Sequence, residues 1–352
     1  MRSACVTSKQ LSANGCQLSI LMFIVCAGGL RIDYLITHDG EAFCGLPGGN
    51  ALYAAAGARL WADNVGLWAR YGRNYPTSWL DKLSDMGLDT GGLISLEADQ
   101  DHRTFFAYTP GGNRDDTRPA DHFARIGQPL PPELSDYIHS TPQQDDPTIF
   151  EPLALRPEDW PLAYDSETAV HLAPLPLATH LSAPARLREA GVKIISVDPG
   201  ERYMIPERVP FLKQLLPQVD AFLPSDQEVR SLLGNDIDLW EAAEQLAAWG
   251  APLVVIKIGA DGILLFDTFN EQHQHLPAYH EPGSPGVVDV TGAGDSFCGG
   301  FLAGLAQYGD ALQAAQMGLV SASMIIEGYG AINALNLNLK EAQTRLLEIS
   351  LP

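Results

Sequence analysis

Apolar, β-prone runs alternate with helix-patterned segments along almost the whole chain, and this alternation restricts the fold more than any other feature of the sequence. Residues 22–27, 65–69, 104–108, 169–172, 193–197, 221–223 and 253–258 read as strands; residues 51–61, 79–86, 177–190, 227–233 and 238–249 read as helices. Short, continuously apolar strands separated by helical crossovers predict an α/β fold with a mostly parallel central sheet covered by helices on both faces. Such folds bind their ligands beyond the carboxyl ends of the strands. With 352 residues, 46% of them hydrophobic, the chain has ample core for one large domain of this kind or two small ones.

Two stretches break the rhythm. Residues 34–46 and 96–118 are polar and turn-rich, with short alternating runs and a turn expected at Pro110-Gly111-Gly112-Asn113. They fit hairpins folding over a site as a lid, and they also fit surface loops. Residues 127–146, rich in Pro, Gln and Asp, read as a surface excursion. At the N-terminus, Arg2 and Lys9 precede an apolar run in the manner of a signal peptide. That run continues into Gly28-Gly29-Leu30-Arg31-Ile32-Asp33, which reads as the end of a first strand, and Met22 stands where such a domain begins. Residues 1–21 are therefore expected to be a disordered extension or the product of an upstream start codon, and residues 22–352 the folded domain. No stretch is long enough to span a membrane.

The formal net charge is −21, with no basic block or stripe, which argues against a nucleic-acid partner. A phosphate site in so acidic a chain must be built locally from backbone amides, a few cations and metal. The five cysteines, Cys5, Cys16, Cys26, Cys44 and Cys298, include no C-x-x-C pair, so neither a disulfide framework nor a structural zinc is expected, and a reducing cytoplasm fits. His273, His275 and His280 read as part of a solvated loop.

One string carries chemistry directly. Asp289-Val290-Thr291-Gly292-Ala293-Gly294-Asp295 precedes a long apolar run in which Gly299, Gly300 and Gly304 have the spacing of a tightly packed helix. Small residues at a loop-to-helix junction let main-chain N–H groups approach an anion, and the helix N-terminus adds favourable potential. A carboxylate is a poor phosphate ligand. Asp295 beside such an anion hole is therefore expected to take a proton from an attacking hydroxyl.

This string resembles the C-terminal signature of the ribokinase-like (PfkB) carbohydrate kinases, D-T-x-G-A-G-D-x-F, with Val290 where that pattern has Thr. The resemblance implies a three-layer sandwich with a small β lid. It also implies ATP as phosphoryl donor, Mg²⁺, in some members K⁺, and a small-molecule sugar or nucleoside as acceptor, in a monomer or homodimer. It makes Asp295 the general base and Gly292, Ala293 and Gly294 the anion hole. A second match, Asp33 followed by Gly48-Gly49-Asn50, implies substrate contacts. A carboxylate accepts two hydroxyl hydrogen bonds, and paired glycines expose amides where a side chain would clash. Lys257, Gly259 and Gly262 resemble the nucleotide-binding strand and turn, and Thr291 joins them. Ser225 and Glu228 resemble the P-N-x-x-E element, in which the Glu steadies Mg²⁺ through water. Here Ser replaces Asn, and the same pair also fits a helix cap with its capping-box partner. Ser321 is expected near the adenine, and Asp289 near a monovalent cation. Asp198 is assigned no chemistry. A nucleoside kinase and a non-catalytic ligand-binding protein of the same fold remain as alternatives. A Rossmann oxidoreductase does not fit, because no G-x-G-x-x-G follows the first strand.

Overall fold

The computed structural model describes residues 22–350, apart from 109–113, 140–142, 162–163, 165–166 and 337. The extension expected at 1–21 and the turn expected at 110–113 lie outside the described residues.

In chain order the elements are β1 (Phe23–Ala27), the lid strands β2 (Arg31–Ile36) and β3 (Ala42–Gly48), α1 (Asn50–Arg59), β4 (Val65–Tyr71), α2 (Thr77–Asp85), β5 (Leu88–Ser95), the lid strands β6 (Arg103–Tyr108) and β7 (Arg114–Asp115), and α3 (Pro119–Arg125). Then come β8 (Thr168–Leu172), α4 (Leu177–Glu189), β9 (Ile194–Val197), α5 (Val209–Leu215), β10 (Ala221–Phe222), α6 (Asp226–Leu233), α7 (Leu239–Ala248) and β11 (Leu253–Lys257). The chain ends with β12 (Ile263–Asp267), β13 (Gln272–Leu276), α8 (Ala293–Tyr308), α9 (Ala311–Ile325), α10 (Ala331–Ala334) and α11 (Leu339–Ser350).

Among the described residues, nine strands form the central sheet in the order β13-β12-β11-β10-β9-β8-β1-β4-β5. All neighbours are parallel except β11–β12 and β12–β13. Successive side chains of a strand point to opposite faces. Val25 and Ala27 of β1 pack with Leu187, Leu212, Leu232 and Leu246 from α4 to α7, while Ile24 and Cys26 pack with α1, α8 and α10 on the other side. The expected three layers are present. Among the described residues no helix is long and apolar enough to cross a membrane.

Two expected elements differ. The first strand ends at Ala27, and residues 28–30 turn the chain out of the sheet, so Asp33 lies on the lid strand β2 and not at a central strand's end. His273 and His275 lie on β13, an edge strand of alternating polar residues, and not on a loop. Leu88–Ser95, unassigned from the sequence, forms β5, in which Gly91 and Gly92 obscure the strand pattern.

The lid is a four-stranded sheet, β3-β2-β6-β7, with β2 and β6 parallel. Its outer face, Tyr34, Ile36, Phe105 and Ala107, forms a small core with Phe123 of α3 and Leu134. Its inner face carries Leu35, Phe106 and Tyr108 and packs with Phe43 and Tyr329.

α1 and α8 approach closely because their contact residues are small. A Cβ on Gly299 would lie 1.8 Å from the carbonyl oxygen of Ala54, and one on Gly57 would lie 2.1 Å from that of Ser296. Gly299→Ala is therefore expected to destabilise the protein by about 1–3 kcal/mol in urea unfolding, although alanine is the better helix former by about 1 kcal/mol. An unchanged or raised midpoint would show that the helices separate freely.

Candidate active site

The signature folds as predicted into a loop opening a helix. Gly292 caps α8 in the left-handed region at φ 77°, and a Cβ there would lie 2.2 Å from the ring of Tyr53. Only glycine meets both conditions. The Ala293 amide closes on the Val290 carbonyl at 3.2 Å, and that of Ser296 on the Gly292 carbonyl at 2.8 Å. From Gly292 to Asp295, the amides with no main-chain acceptor among the described residues are those of Gly292, Gly294 and Asp295. Of the three residues expected to form an anion hole, Gly292, Ala293 and Gly294, the structure leaves the amides of Gly292 and Gly294 without a main-chain acceptor and closes that of Ala293 on Val290.

The Asp295 carboxylate is half-buried, meets its own main-chain amide, and forms no hydrogen bond or ion pair with another side chain among the described residues. Burial raises its pKa; Lys257 and Arg114 pull it down, and Glu228 pushes it up. A carboxylate so placed is accessible, unpaired and a stronger base than one in water.

Asp33 faces the same space from the lid. It is 4% exposed, and its Oδ1 has no hydrogen-bond partner. Burial pushes its pKa up to about 7, partly relieved by Arg31, with Asp289 and Asp295 adding to the rise. Gly48 lies across from it: a Cβ on that residue would stand 1.7 Å from Asp33 Oδ2. Gly49 adopts φ 102° against the Gly29 carbonyl. Asn50, expected as a substrate contact, is engaged with main chain. Its Oδ1 accepts from the amides of Gly29 (2.7 Å) and Ala51 (2.9 Å), and its Nδ2 donates to the Pro174 carbonyl (2.8 Å). It braces the junction of β1, α1 and the loop after β8.

Thr291 links the lid to the signature. Its Oγ1 lies 2.9 Å from the Tyr108 hydroxyl, and its amide donates to Asp289 Oδ1 at 2.9 Å. Asp289 is 5% exposed, and burial raises its pKa. Arg114 pairs across the strands with Tyr108 and stacks on Phe106, which brings a cation to the lid's inner face.

On the nucleotide side, Lys257 is not a free cation. Its ammonium is ion-paired to Asp198 and lies 3.8 Å from the Cys298 sulfur. A Cβ on Gly294 would lie 3.6 Å from Lys257 Nζ, so the pair sits directly beside the start of α8. Burial would strip the lysine's proton, but Asp198, Cys298 and Glu228 hold it charged. Burial pushes Asp198 up, and Lys257 opposes the shift. Asp198 Oδ1 is buried without a partner.

Ser225 and Glu228 form the capping box that the sequence left open. Glu228 Oε2 accepts from the Ser225 amide (2.7 Å) and hydroxyl (2.8 Å), and the Glu228 amide reaches Ser225 Oγ at 3.3 Å. Burial and the neighbouring Asp198 raise the Glu228 pKa. Gly259 and Gly262 both take positive φ in the turn between β11 and β12; a Cβ on Gly262 would meet the Leu276 carbonyl at 2.0 Å. Ser321 does not reach the site. It is fully buried, accepting from Trp61 Nε1 (2.8 Å) and donating to the carbonyls of Gly57 (3.1 Å) and Met317 (3.0 Å).

Sequence reasoning missed Asp198, Arg114 and Tyr53. Tyr53 had a visible signal, as the one aromatic in an otherwise small-residue helix. Asp33, Asp289 and Asp295 all act on its hydroxyl, whose pKa burial already raises.

The sequence profile of the pfkB family carbohydrate kinases matches residues 171–338, from β8 through the signature. A cytidine kinase from Thermococcus kodakarensis is 28% identical over 311 residues, covering 88% of this chain and 98% of that protein. A solved ribokinase from Thermotoga maritima superimposes with a TM-score of 0.64 at 18% identity, covering 93% of this chain and 99% of that one. An aminoimidazole riboside kinase from Salmonella enterica, complexed with aminoimidazole riboside and an ATP analogue, gives 0.65 at 20% identity, covering 92% and 99%. Both structures share this fold.

The Asp33 carboxyl holds its proton to about pH 7 in the folded protein, against an ordinary value of 3.8. The folded state therefore binds that proton more tightly than the unfolded chain does. Its contribution is present below about pH 4 and is lost as pH rises through about 7. Asp33→Asn removes the burden of an ionised buried carboxylate. It should raise the thermal midpoint by several degrees at pH 8 and progressively less toward pH 4.5. The same offset at both pH values would show that Asp33 is not the titrating group.

Proposed function

We propose, for a chain that belongs to the ribokinase-like pfkB family of carbohydrate kinases, that it transfers the γ-phosphoryl group of ATP to a hydroxyl of a sugar or nucleoside, with Asp295 taking the hydroxyl proton. The observation that carries this reading is the unpaired Asp295 carboxylate on the same helical turn as three amides without main-chain acceptors. The acceptor oxygen bonds to the γ-phosphorus as its proton passes to Asp295, and ADP leaves. The amides of Gly292, Gly294 and Asp295 donate to the phosphoryl oxygens where charge develops. Lys257, held charged by Asp198, adds positive potential beside them.

Asp33, opposite Gly48, holds acceptor hydroxyls. Its orphaned buried oxygen supports this role, because a hydroxyl donor would satisfy it. Tyr108 and Thr291 close the lid over the reacting centre and exclude water. The lid's apolar outer face is covered by this chain's own α3 and Leu134, which supports a lid that needs no second subunit.

Two carboxylates fit Mg²⁺ held through water. Glu228 Oε1 stays outside the capping box, and Asp198 Oδ1 is buried without a partner. Among the described residues no three metal-binding side chains converge, so water and phosphate oxygens would complete the shell. When bound, the ion neutralises phosphate charge. Asp289, buried where its amide meets the Ile326 carbonyl, is the residue that would hold a monovalent cation such as K⁺. The base of ATP fits a cleft of about 490 Å³ behind the Gly259–Asp261 turn, lined by Ile258, Ala260, Leu264, His275 and Pro277.

Asp295→Asn is expected to lower kcat by on the order of 10²–10⁴ while ATP affinity, read by calorimetry, changes little. Undiminished turnover against sugars and nucleosides would remove Asp295 as the base.

A further inference from the structure

We propose that His102 is the pivot of the lid: its imidazole ties both outgoing lid strands to the central sheet and so positions the Asp33 carboxylate. The proposal rests on the kinase reading above, in which Asp33 holds the acceptor, and adds a positioning residue to it.

The chain runs from the central sheet into the lid through residues 28–30 ahead of β2 and through residues 96–102 ahead of β6. His102 stands where these two entries meet, and it is 1% exposed. Its carbonyl accepts the Ile32 amide at 2.8 Å, at the start of the pairing between β2 and β6. Its side chain reaches back out of the lid in two directions. The Gly72 amide, just past the end of β4, donates to Nε2 at 2.9 Å, and Nδ1 lies 3.0 Å from the Leu30 carbonyl. One residue thus joins β2, β6 and a strand of the central sheet, and Asp33 follows directly on Ile32.

The partners fix the state of the imidazole. A main-chain amide only donates, so Nε2 is the acceptor and Nδ1 carries the proton given to Leu30. Only this neutral form meets both partners; a second proton would leave the Gly72 amide facing a donor. Burial lowers the pKa of His102, with Arg31 helping and the Leu30 bond and Asp101 opposing. Tyr75 packs edge to face on the ring with the centroids 4.9 Å apart.

The surrounding junction belongs to the core. The Leu96 amide donates to the Tyr71 carbonyl (2.8 Å), the Arg73 amide donates to the Ala98 carbonyl (3.2 Å), and Asn74 and Gln100 exchange two bonds of 2.9 Å. The return crossing is held where Asn50 accepts the Gly29 amide. Beyond His102 the lid sheet bonds within itself and packs on its own cover. A stiff lid on a fixed base turns at their junction. The place of Asp33 relative to α8 is therefore set where His102 holds the two together.

The test uses the full chain with ATP and a panel of sugars and nucleosides that includes ribose and cytidine. His102→Asn keeps a donor for Leu30 and removes the acceptor for Gly72; His102→Gln offers both. His102→Asn should raise the acceptor KM about tenfold while the ATP KM changes by less than about twofold, and His102→Gln should recover most of the loss. Added to Asp33→Asn, His102→Asn should cost less than about twofold more, because the group it positions is gone. Hydrogen exchange read by mass spectrometry should rise about tenfold in β2 and β6 of His102→Asn and stay unchanged in β9 and β11. A merely structural residue gives the same KM loss with and without Asp33 and a uniform rise in exchange, and either result overturns the pivot. If lid exchange rises as expected but no acceptor is phosphorylated, the kinase reading falls and the pivot stands. If acceptors are phosphorylated and His102→Asn changes neither acceptor KM nor lid exchange, the pivot falls and the kinase reading stands.

Discussion

The active site depends on the close contact of two helix backbones. α1 and α8 touch where Gly57 faces Ser296 and Gly299 faces Ala54, at distances that exclude any side chain. This contact sets where α8 begins relative to α1, and Tyr53 of α1 then seats against Gly292. The proposed anion hole and proton acceptor are thereby referenced to the helix that follows Gly48 and Gly49. Close packing resists compression, so a shift at the helix contact passes to both ends of the site. A phosphoryl transfer that relies on positioning tolerates little such displacement.

The electrostatics are lopsided by construction. Among the described residues, Asp33, Asp198, Glu228, Asp289 and Asp295 surround a space into which Lys257, Arg114 and Arg31 bring positive charge, and Lys257 is paired. Burial raises the pKa of each carboxylate, and like-charged neighbours add to the rise at Asp33, Asp198, Glu228 and Asp295. A polyphosphate enters such a space only with main-chain dipoles and a divalent cation to offset the repulsion. The same field favours a neutral acceptor over an anionic one.

The signature was legible because its chemistry lies within one helical turn, where spacing along the chain equals spacing in space. The parallel sheet was legible for a related reason, since each buried strand is a contiguous apolar run. Asp33 shows the limit of that logic. Its motif was readable, but an apolar run does not reveal where the chain leaves a sheet, and the glycines at 28 and 29 do the turning. Ser321 failed because a helix of small residues reads the same whether it faces a ligand or another helix; here it faces Trp61 and Gly57. Asp198 and Lys257 are 59 residues apart, and no local pattern joins them. A lysine ending the buried run of β11 was nonetheless a sign that a counter-charge lay close by.

The lid combines a strong attachment with a weak latch. Its outer face is secured by a buried apolar cluster from its own chain, so the sheet and its cover move as one body. Among the described residues, its inner edge is joined to the signature by one side-chain hydrogen bond, between Tyr108 and Thr291. Such a bond is worth about 1 kcal/mol net, which biases closure by less than about tenfold. Acceptor contacts proposed at Asp33, whose buried Oδ1 has no partner, would be of comparable or greater strength. Closure would then be set mainly by whether an acceptor is present. A kinase would gain from that arrangement, because the proposed base and anion hole would be shielded from water only when a hydroxyl other than water's is in place.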